Sequence, residues 1–123
     1  DLRPGSVMVN SSGSAKIIDP EFTVYGPGGL DVGSLISGFI LGAVHHAHAP
    51  NTPPEEATKA ITCLRDAIDT IFTSYSEVMT KGGISAEALA LIEADSVGFA
   101  IAEVARTSLG FAGGRKWLQF EDT

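Results

Sequence analysis

The sequence predicts an α+β domain that is mostly helical, with a short β-hairpin packed on three or four helices. Turn-forming residues interrupt short apolar runs over the first 30 residues, whereas apolar residues recur at helical spacing from residue 31 to about residue 112. With 123 residues and 44% hydrophobic content, the chain is long enough for one compact domain with a single core.

Two short strands are expected near the start of the chain. The apolar runs at residues 6–9 and 15–18 flank the polar stretch NSSGS, which is typical of a hairpin turn. The segment 20–30 contains GPGG and cannot be helical over most of its length, because proline removes a donor and glycine is entropically costly in a helix. We interpret GPGG as a turn-forming loop rather than a phosphate cradle, since it lacks the Lys and Ser/Thr of a P-loop.

The first two helices have recognisable starts and stops. Asp31 is expected to cap the first turn of a helix rather than to bind a metal, and the apolar stretch 32–44 has little polar face, which predicts a buried helix. Thr52, followed by two prolines and two glutamates, is expected to cap the second helix. Gly82 and Gly83 are expected to end it.

A third helical region is expected from about Ser85 through Ala112. We predict a break in it near residues 95–98 or at Gly110, because a glycine lies at each place. A polar tail follows. Trp117 in that tail can anchor either the tail or a subunit contact, and the sequence leaves both open.

Composition excludes several classes of partner. The chain has 8 basic and 15 acidic residues, a net charge of −7 and no cluster of Lys or Arg, so nucleic acid is not an expected partner. The apolar stretch 32–44 falls short of the roughly 20 residues that a bilayer span needs, so no membrane segment is expected. The single cysteine suits a reducing compartment, so we expect a cytoplasmic protein.

Two features that suggest a metal or redox site have simpler structural explanations. Cys63 has no second cysteine to pair with and lies among apolar helical neighbours, so we expect a small core residue. His45, His46 and His48 cluster where a helix is expected to end, where imidazole favours the negative end of the helix dipole. We interpret them as surface histidines rather than metal ligands.

The spacing of acidic residues predicts phosphoryl-transfer chemistry. In protein kinases, a catalytic Asp is followed five residues later by a metal-binding Asn and then, after a short hairpin, by a metal-binding Asp. Here Asp1 is followed five residues later by Ser6, then by the predicted hairpin and then by Asp19. Asp19 and Glu21 leave the second strand two residues apart, so two hard oxygen ligands can converge on one Mg²⁺.

The same segments resemble a known family. Residues 1–9 (DLRPGSVMV) and 17–33 (IIDPEFTVYGPGGLDVG) are similar to the catalytic loop, metal motif and following loop of 5-methylthioribose kinases, which belong to the aminoglycoside and choline phosphotransferase branch of the protein-kinase-like fold. Residues 97–100 (VGFA), 103–106 (EVAR) and 109–112 (LGFA) are similar to the C-terminal helix of that family. The resemblance implies the C-lobe of this fold.

The resemblance also implies a role for individual residues. It makes Asp1 the catalytic aspartate, Asp19 and Glu21 the ligands that bind the Mg²⁺-ATP cofactor, and Ser6 a residue adjacent to the metal. Arg106 and Arg3 are implied to bind the substrate.

Two departures from the family lie close to the expected acceptor site. The family has two adjacent arginines where this chain has Arg106 and Thr107, and it usually has histidine where Arg3 stands. The expected function is ATP-dependent phosphorylation of a sugar hydroxyl, with methylthioribose in methionine salvage as the leading acceptor. These departures favour, as an alternative, a related phosphotransferase that acts on another hydroxyl compound, such as an aminoglycoside or choline.

Residues 1–30 are expected to hold the catalytic loop, hairpin and metal motif, residues 31–112 the helices, and residues 113–123 the tail. The sequence contains neither a Gly-rich nucleotide loop nor the ATP-binding lysine of an N-lobe strand, so we expect a fragment that is inactive alone. The expected partners are a small-molecule substrate and the missing N-terminal lobe, with a homodimer left open. A non-catalytic helical interaction module remains a third alternative.

Overall fold

We describe residues 2–109 of a computed structural model, leaving out the side chain of Ser108. A 3-10 turn at Pro4–Ser6 precedes strands β1 (Val7–Val9) and β2 (Ala15–Ile17) and helices α1 (Gly29–His48), α2 (Pro54–Lys81) and α3 (Ala86–Leu109). The predicted α+β, mostly helical fold is confirmed.

The hairpin forms where the turn residues predicted it. β1 and β2 pair antiparallel, with Val7 opposite Ile17. The Asn10 side chain organises the turn, because its Oδ1 accepts hydrogen bonds from the backbone N–H groups of Ser12 at 3.1 Å and Ser14 at 2.9 Å. The polar stretch between the strands therefore closes on itself without support from the helices.

α1 is the central helix, because α2 and α3 both pack against it and contact each other little. Val32 and Ile36 of α1 are 7% and 4% exposed and form the core with Ala100 of α3. Half-buried side chains complete this cluster: Ile40, Ile68, Ile71, Phe72 and Tyr75. The buried helix predicted at this position is confirmed on the faces that meet α2 and α3.

α1 and α3 approach each other backbone to backbone at two glycines. A Cβ atom on Gly33 would lie 2.5 Å from the Ser96 carbonyl oxygen and 2.7 Å from the Phe99 Cβ. A Cβ on Gly29 would lie 2.7 Å from the backbone nitrogen of Ser96. Atoms cannot approach this closely, so only glycine allows this helix crossing.

α2 differs from the prediction in two details. It begins at Pro54 after Pro53, with no side-chain hydrogen bond at its N-cap, so the expected cap by Thr52 is wrong. Proline has no backbone N–H, so a helix that begins with proline has one fewer N–H group without an intrahelical acceptor. A side-chain cap is therefore less necessary here. Cys63 is exposed, not a core residue, because the α2 side chains that pack against the core lie on another face of the helix: Ile68, Ile71, Phe72 and Tyr75.

α2 ends at Lys81, as the two glycines predicted, and Gly83 takes the left-handed conformation with φ of +88°. We expect Gly83→Ala to destabilise the full-length gene product by about 1 kcal/mol, because a Cβ is disfavoured at positive φ. Urea unfolding of the purified variant measures this. Gly5→Ala is the matched control, since a Cβ there meets nothing within 4 Å and Gly5 has no positive φ. Equal losses in the two variants would contradict the conformational explanation.

α3 is continuous through the region where a break was predicted. Gly98 lies inside the helix with nothing within 4 Å of its Cβ position. The fully buried Ser96 donates its hydroxyl to the Ile92 carbonyl at 2.7 Å, so its polar group is satisfied within the helix. Packing against α1 on both sides of this stretch outweighs the weak helix propensity of glycine. The alternative break at Gly110 and the tail with Trp117 lie outside the described residues.

α1 is also, by length and composition alone, a helix that could cross a membrane. α1 has 20 residues. The expectation that no segment spans a membrane was based on the shorter apolar stretch 32–44. The central helix of a packed core meets the same criterion, and α1 has both of the other helices packed on it. The expected absence of a membrane partner stays a prediction.

Candidate active site

The hairpin brings the two halves of the acidic motif to one place. The Ile18 N–H donates to the Ser6 carbonyl at 2.9 Å, which extends the strand pairing by one step toward the open end of the hairpin. Ser6 ends the 3-10 turn, and Asp19 follows directly after Ile18. Residues 13 positions apart in the chain therefore lie at the same end of the hairpin.

Asp19 has an unusual backbone conformation. Its φ is +63°, in the left-handed region that non-glycine residues rarely adopt, although Asp and Asn tolerate it better than other residues. Such strain concentrates at functional sites, where the surroundings hold a residue in one orientation. The chain thus turns sharply at the residue that the sequence predicts to bind metal.

Ser6 and Asp19 line one cavity of about 280 Å³, which we call the hairpin cavity. Among residues 2–109, Thr23 and Asp31 are the other polar residues of its wall. Carboxylate and hydroxyl oxygens suit Mg²⁺, which keeps several waters and needs only one or two protein carboxylates when it is bound with nucleotide phosphates. Ser6 and Asp19 therefore fit the ion that the sequence predicts, and they would hold it from two sides of the hairpin end.

Glu21 lies in the exposed loop after Asp19. Its neighbours Pro20 and Phe22 line the hairpin cavity, but Glu21 does not. Within residues 2–109, no group of three or more His, Cys, Asp or Glu side chains is placed to hold a metal ion. The roles of Asp19, Glu21 and Ser6 as ligands for Mg²⁺ and ATP stay predictions.

Asp31 ties the start of the chain to α1. Its Oδ1 accepts a hydrogen bond at 3.1 Å from the Leu2 backbone N–H, 29 residues earlier. Asp31 lies within the first turn of α1, whose N-cap is Gly28, so the expected capping role is wrong, whereas the structural role is supported. Asp1, the predicted catalytic residue, lies outside the described residues, but the bond to Leu2 positions the residue that follows it.

The turn at Pro4–Ser6 is held against α1 by a close contact. A Cβ on Gly38 would lie 2.5 Å from the Cδ of Pro4, so the proline ring occupies the space that a side chain would take. The segment that carries Ser6 is thus fixed at two points, through Leu2 and Pro4.

The predicted substrate-binding arginines lie near a second cavity. Arg3 lines a cavity of about 240 Å³ together with Phe22, Leu30, Ser34 and Glu103, which we call the Arg3 cavity. Phe22 and Leu30 also line the hairpin cavity, so the two cavities are neighbours.

Arg106 forms a hydrogen bond with Glu103, a residue of the Arg3 cavity wall. Its Nη2 donates to the Glu103 Oε2 at 2.7 Å, and this hydrogen bond raises the pKa of the Arg106 guanidinium. Glu103 lines the Arg3 cavity, whereas Arg106 lies beside it and is half-exposed. Thr107, which replaces the second arginine of the family, is 7% exposed and donates its hydroxyl to the Glu103 carbonyl at 2.9 Å.

The histidines lie where the sequence placed them, in the last turn of α1. His45 and His46 are half-buried and their rings are in edge-to-face contact at 5.6 Å, while His48 is exposed. The surface interpretation holds fully for His48 and in part for the other two, and no metal cluster involves the three within the described residues.

These features define a class of protein: a mostly helical chain in which a β-hairpin presents a hydroxyl and a strained aspartate to one cavity, with Arg3 in the wall of a neighbouring cavity. Comparison with known proteins then confirms the resemblance seen in the motifs. The chain is 30% identical over 125 residues to a methylthioribose kinase of Geobacillus thermodenitrificans, and the match covers 91% of this chain and 29% of that protein.

Two other relatives agree. The chain is 34% identical over 118 residues to the methylthioribose kinase of a Geobacillus species (28% of that protein), and 30% identical over 126 residues to that of Erwinia tasmaniensis (31%). It thus spans less than a third of the length of these curated relatives. No family model and no solved structure matches.

Proposed function

We propose that the full-length gene product is a kinase that transfers the terminal phosphoryl group of Mg²⁺-ATP to a hydroxyl of a sugar, with methylthioribose as the leading acceptor in methionine salvage. The observation that carries the proposal is the meeting of Ser6 and Asp19 in the hairpin cavity, in a chain similar to methylthioribose kinases over 91% of its length. A cytoplasmic location accords with this function.

The chemistry needs positioning and charge stabilisation more than covalent participation by the protein. A bound Mg²⁺ would neutralise charge on the phosphates, and Asp19 and Ser6 would hold it, with Glu21 on the adjoining loop. Asp1 would orient the acceptor hydroxyl and accept its proton, a role that rests on the family resemblance. The links of Leu2 to Asp31 and of Pro4 to Gly38 support this proposal, because they fix the backbone that follows Asp1.

The lining of the Arg3 cavity suits an acceptor with an apolar substituent. Phe22 and Leu30 give its wall apolar surface, and its charged lining residues, Arg3 and Glu103, carry one charge of each sign. A sugar with a methylthio group matches a wall that is polar in one part and apolar in another.

The test is a phosphorylation assay of the full-length gene product with Mg²⁺-ATP and four acceptors: methylthioribose, ribose, an aminoglycoside and choline. We expect kcat/KM for methylthioribose to exceed that for each of the others at least tenfold. Preference for a cation would overturn the proposed acceptor in favour of the related phosphotransferases. No turnover with any acceptor would overturn the kinase function and favour a non-catalytic helical module.

The 123-residue chain by itself is expected to show no turnover above background in the same assay. It contains neither the Gly-rich loop nor the lysine that position nucleotide phosphates in kinases. Appreciable turnover by the isolated chain would contradict this expectation.

A further inference from the structure

The loop that follows the hairpin is closed by a single residue, Thr23. Its hydroxyl donates to the Pro20 carbonyl at 2.5 Å, and its backbone N–H donates to the same oxygen at 3.2 Å. We call residues 19–26 the Asp19 loop. Within the described part of the chain, these two are the only hydrogen bonds that this loop makes. Thr23 therefore supplies the hydrogen bonding that holds the loop together.

The backbone conformation of Asp19 makes this closure important. Its φ of +63° is in the left-handed region, which is unfavourable for a residue with a Cβ. A proline also restricts the residue before it toward extended backbone with negative φ, and Pro20 follows Asp19 directly. A conformation that is disfavoured for two reasons persists only where the surroundings hold it.

The structure holds Asp19 from both sides. Before it, the Ile18 N–H donates to the Ser6 carbonyl at 2.9 Å, which ties the backbone to the hairpin. After it, the two bonds from Thr23 fix the Pro20 carbonyl, one residue beyond Asp19. Asp19, Ser6 and Thr23 line the hairpin cavity together. Loss of the anchor at Thr23 would let the Asp19 backbone relax toward negative φ and shift its carboxylate from the cavity wall.

We propose that Thr23 is a positioning residue: by binding the Pro20 carbonyl it keeps Asp19 in its left-handed conformation, and so sets the affinity of the hairpin cavity for a divalent cation. This inference rests on the proposed kinase function, in which Asp19 holds Mg²⁺, and extends it. Thr23 acts through the backbone of the Asp19 loop and does not itself bind the cation.

The first measurement uses the full-length gene product without metal or nucleotide. Hydrogen–deuterium exchange, read by mass spectrometry at the Thr23 amide and corrected for intrinsic rates, reports how often the loop opens. We expect this amide to exchange about fivefold faster in Thr23→Val, because the loss of one hydrogen bond corresponds to a factor of that order. Thr23→Ser keeps the hydroxyl and should exchange as the wild type does. Thr23 is exposed, so these variants should retain the fold.

The second measurement is the Mg²⁺ dependence of methylthioribose phosphorylation at saturating ATP and sugar. We expect Thr23→Val to raise the free Mg²⁺ concentration that gives half the maximal rate about fivefold, again the effect of one lost hydrogen bond. KM for the sugar, and kcat at saturating Mg²⁺, should stay within twofold of the wild type, and Thr23→Ser should restore the Mg²⁺ dependence.

The matched control is Thr58→Val. Thr58 is also exposed, and its hydroxyl also donates to a proline carbonyl, that of Pro54 at 2.8 Å, but it lies on α2 and lines neither the hairpin cavity nor the Arg3 cavity. We expect the Mg²⁺ dependence of this control to equal that of the wild type.

The two measurements together separate positioning from other roles. A raised Mg²⁺ requirement with unchanged amide exchange would make Thr23 a direct ligand and overturn the positioning role. An unchanged Mg²⁺ requirement in Thr23→Val would also overturn it, as would an equal effect of Thr58→Val. A wild type without kinase activity would overturn the proposed function, and with it the role of Thr23 in the reaction, whatever the exchange shows.

Discussion

Replacing Asp19 with asparagine is expected to lower kcat of the full-length gene product about a thousandfold without unfolding it. The substitution removes the charge that would hold Mg²⁺ on the phosphates, and loss of about 4 kcal/mol of transition-state stabilisation corresponds to that factor. Asparagine also tolerates the left-handed conformation that Asp19 adopts at φ of +63°, so the turn should be retained. Steady-state kinetics at saturating Mg²⁺-ATP and sugar measure the effect.

The control for Asp19 is Asp69→Asn, which changes an exposed aspartate on α2 by the same chemistry. We expect kcat of this control to stay within twofold of the wild type. Circular dichroism of both variants tests that their folds are intact. A kcat for Asp19→Asn within tenfold of the wild type would remove Asp19 from the proposed metal site.

Gly33→Ala is expected to destabilise the full-length gene product by about 3 kcal/mol, although alanine is the better helix former. The added Cβ would lie 2.5 Å from the carbonyl oxygen of Ser96 and 3.0 Å from the backbone nitrogen of Ala100. Backbone atoms of a packed helix cannot rotate away as side chains do, so α1 and α3 must separate and lose core contacts. The free energy of unfolding from urea titration measures the loss.

Gly98→Ala provides the matched comparison, because Gly98 lies inside α3 with nothing within 4 Å of its Cβ position. Here only the helix propensity changes, and we expect stabilisation of up to about 1 kcal/mol. The two glycine substitutions should therefore have opposite signs. A stabilising effect of Gly33→Ala would show that the two helices do not cross at this residue.

The helices and the hairpin could be predicted because their signals are local. Turn residues between short apolar runs indicated β1 and β2, and two adjacent glycines indicated the end of α2. The predicted break near Gly98 was wrong because helix propensity is a weak preference, which the packing of α3 on α1 outweighs. Cys63 was misplaced because a small apolar residue can lie on either side of a half-buried helix.

The candidate site was predictable in part. The spacing of Ser6 and Asp19 around a hairpin indicated that they would meet, and they line one cavity. The position of Glu103 in the wall of the Arg3 cavity was not predicted, although its spacing of three from Arg106 on a helix is a signal for pairing. The bond from Leu2 to Asp31 had no such signal, because it joins residues 29 positions apart.

The amino-acid sequence by itself determined the order and type of the elements, the acidic motif and the resemblance to methylthioribose kinases, because all of these depend on neighbouring residues. Only the tertiary structure decided which residues surround the two cavities, that Asp31 ties down the start of the chain, and that Gly29 and Gly33 set the distance between α1 and α3. The physical reason is that these contacts join distant parts of the chain. Their geometry follows from close packing, which no local pattern encodes.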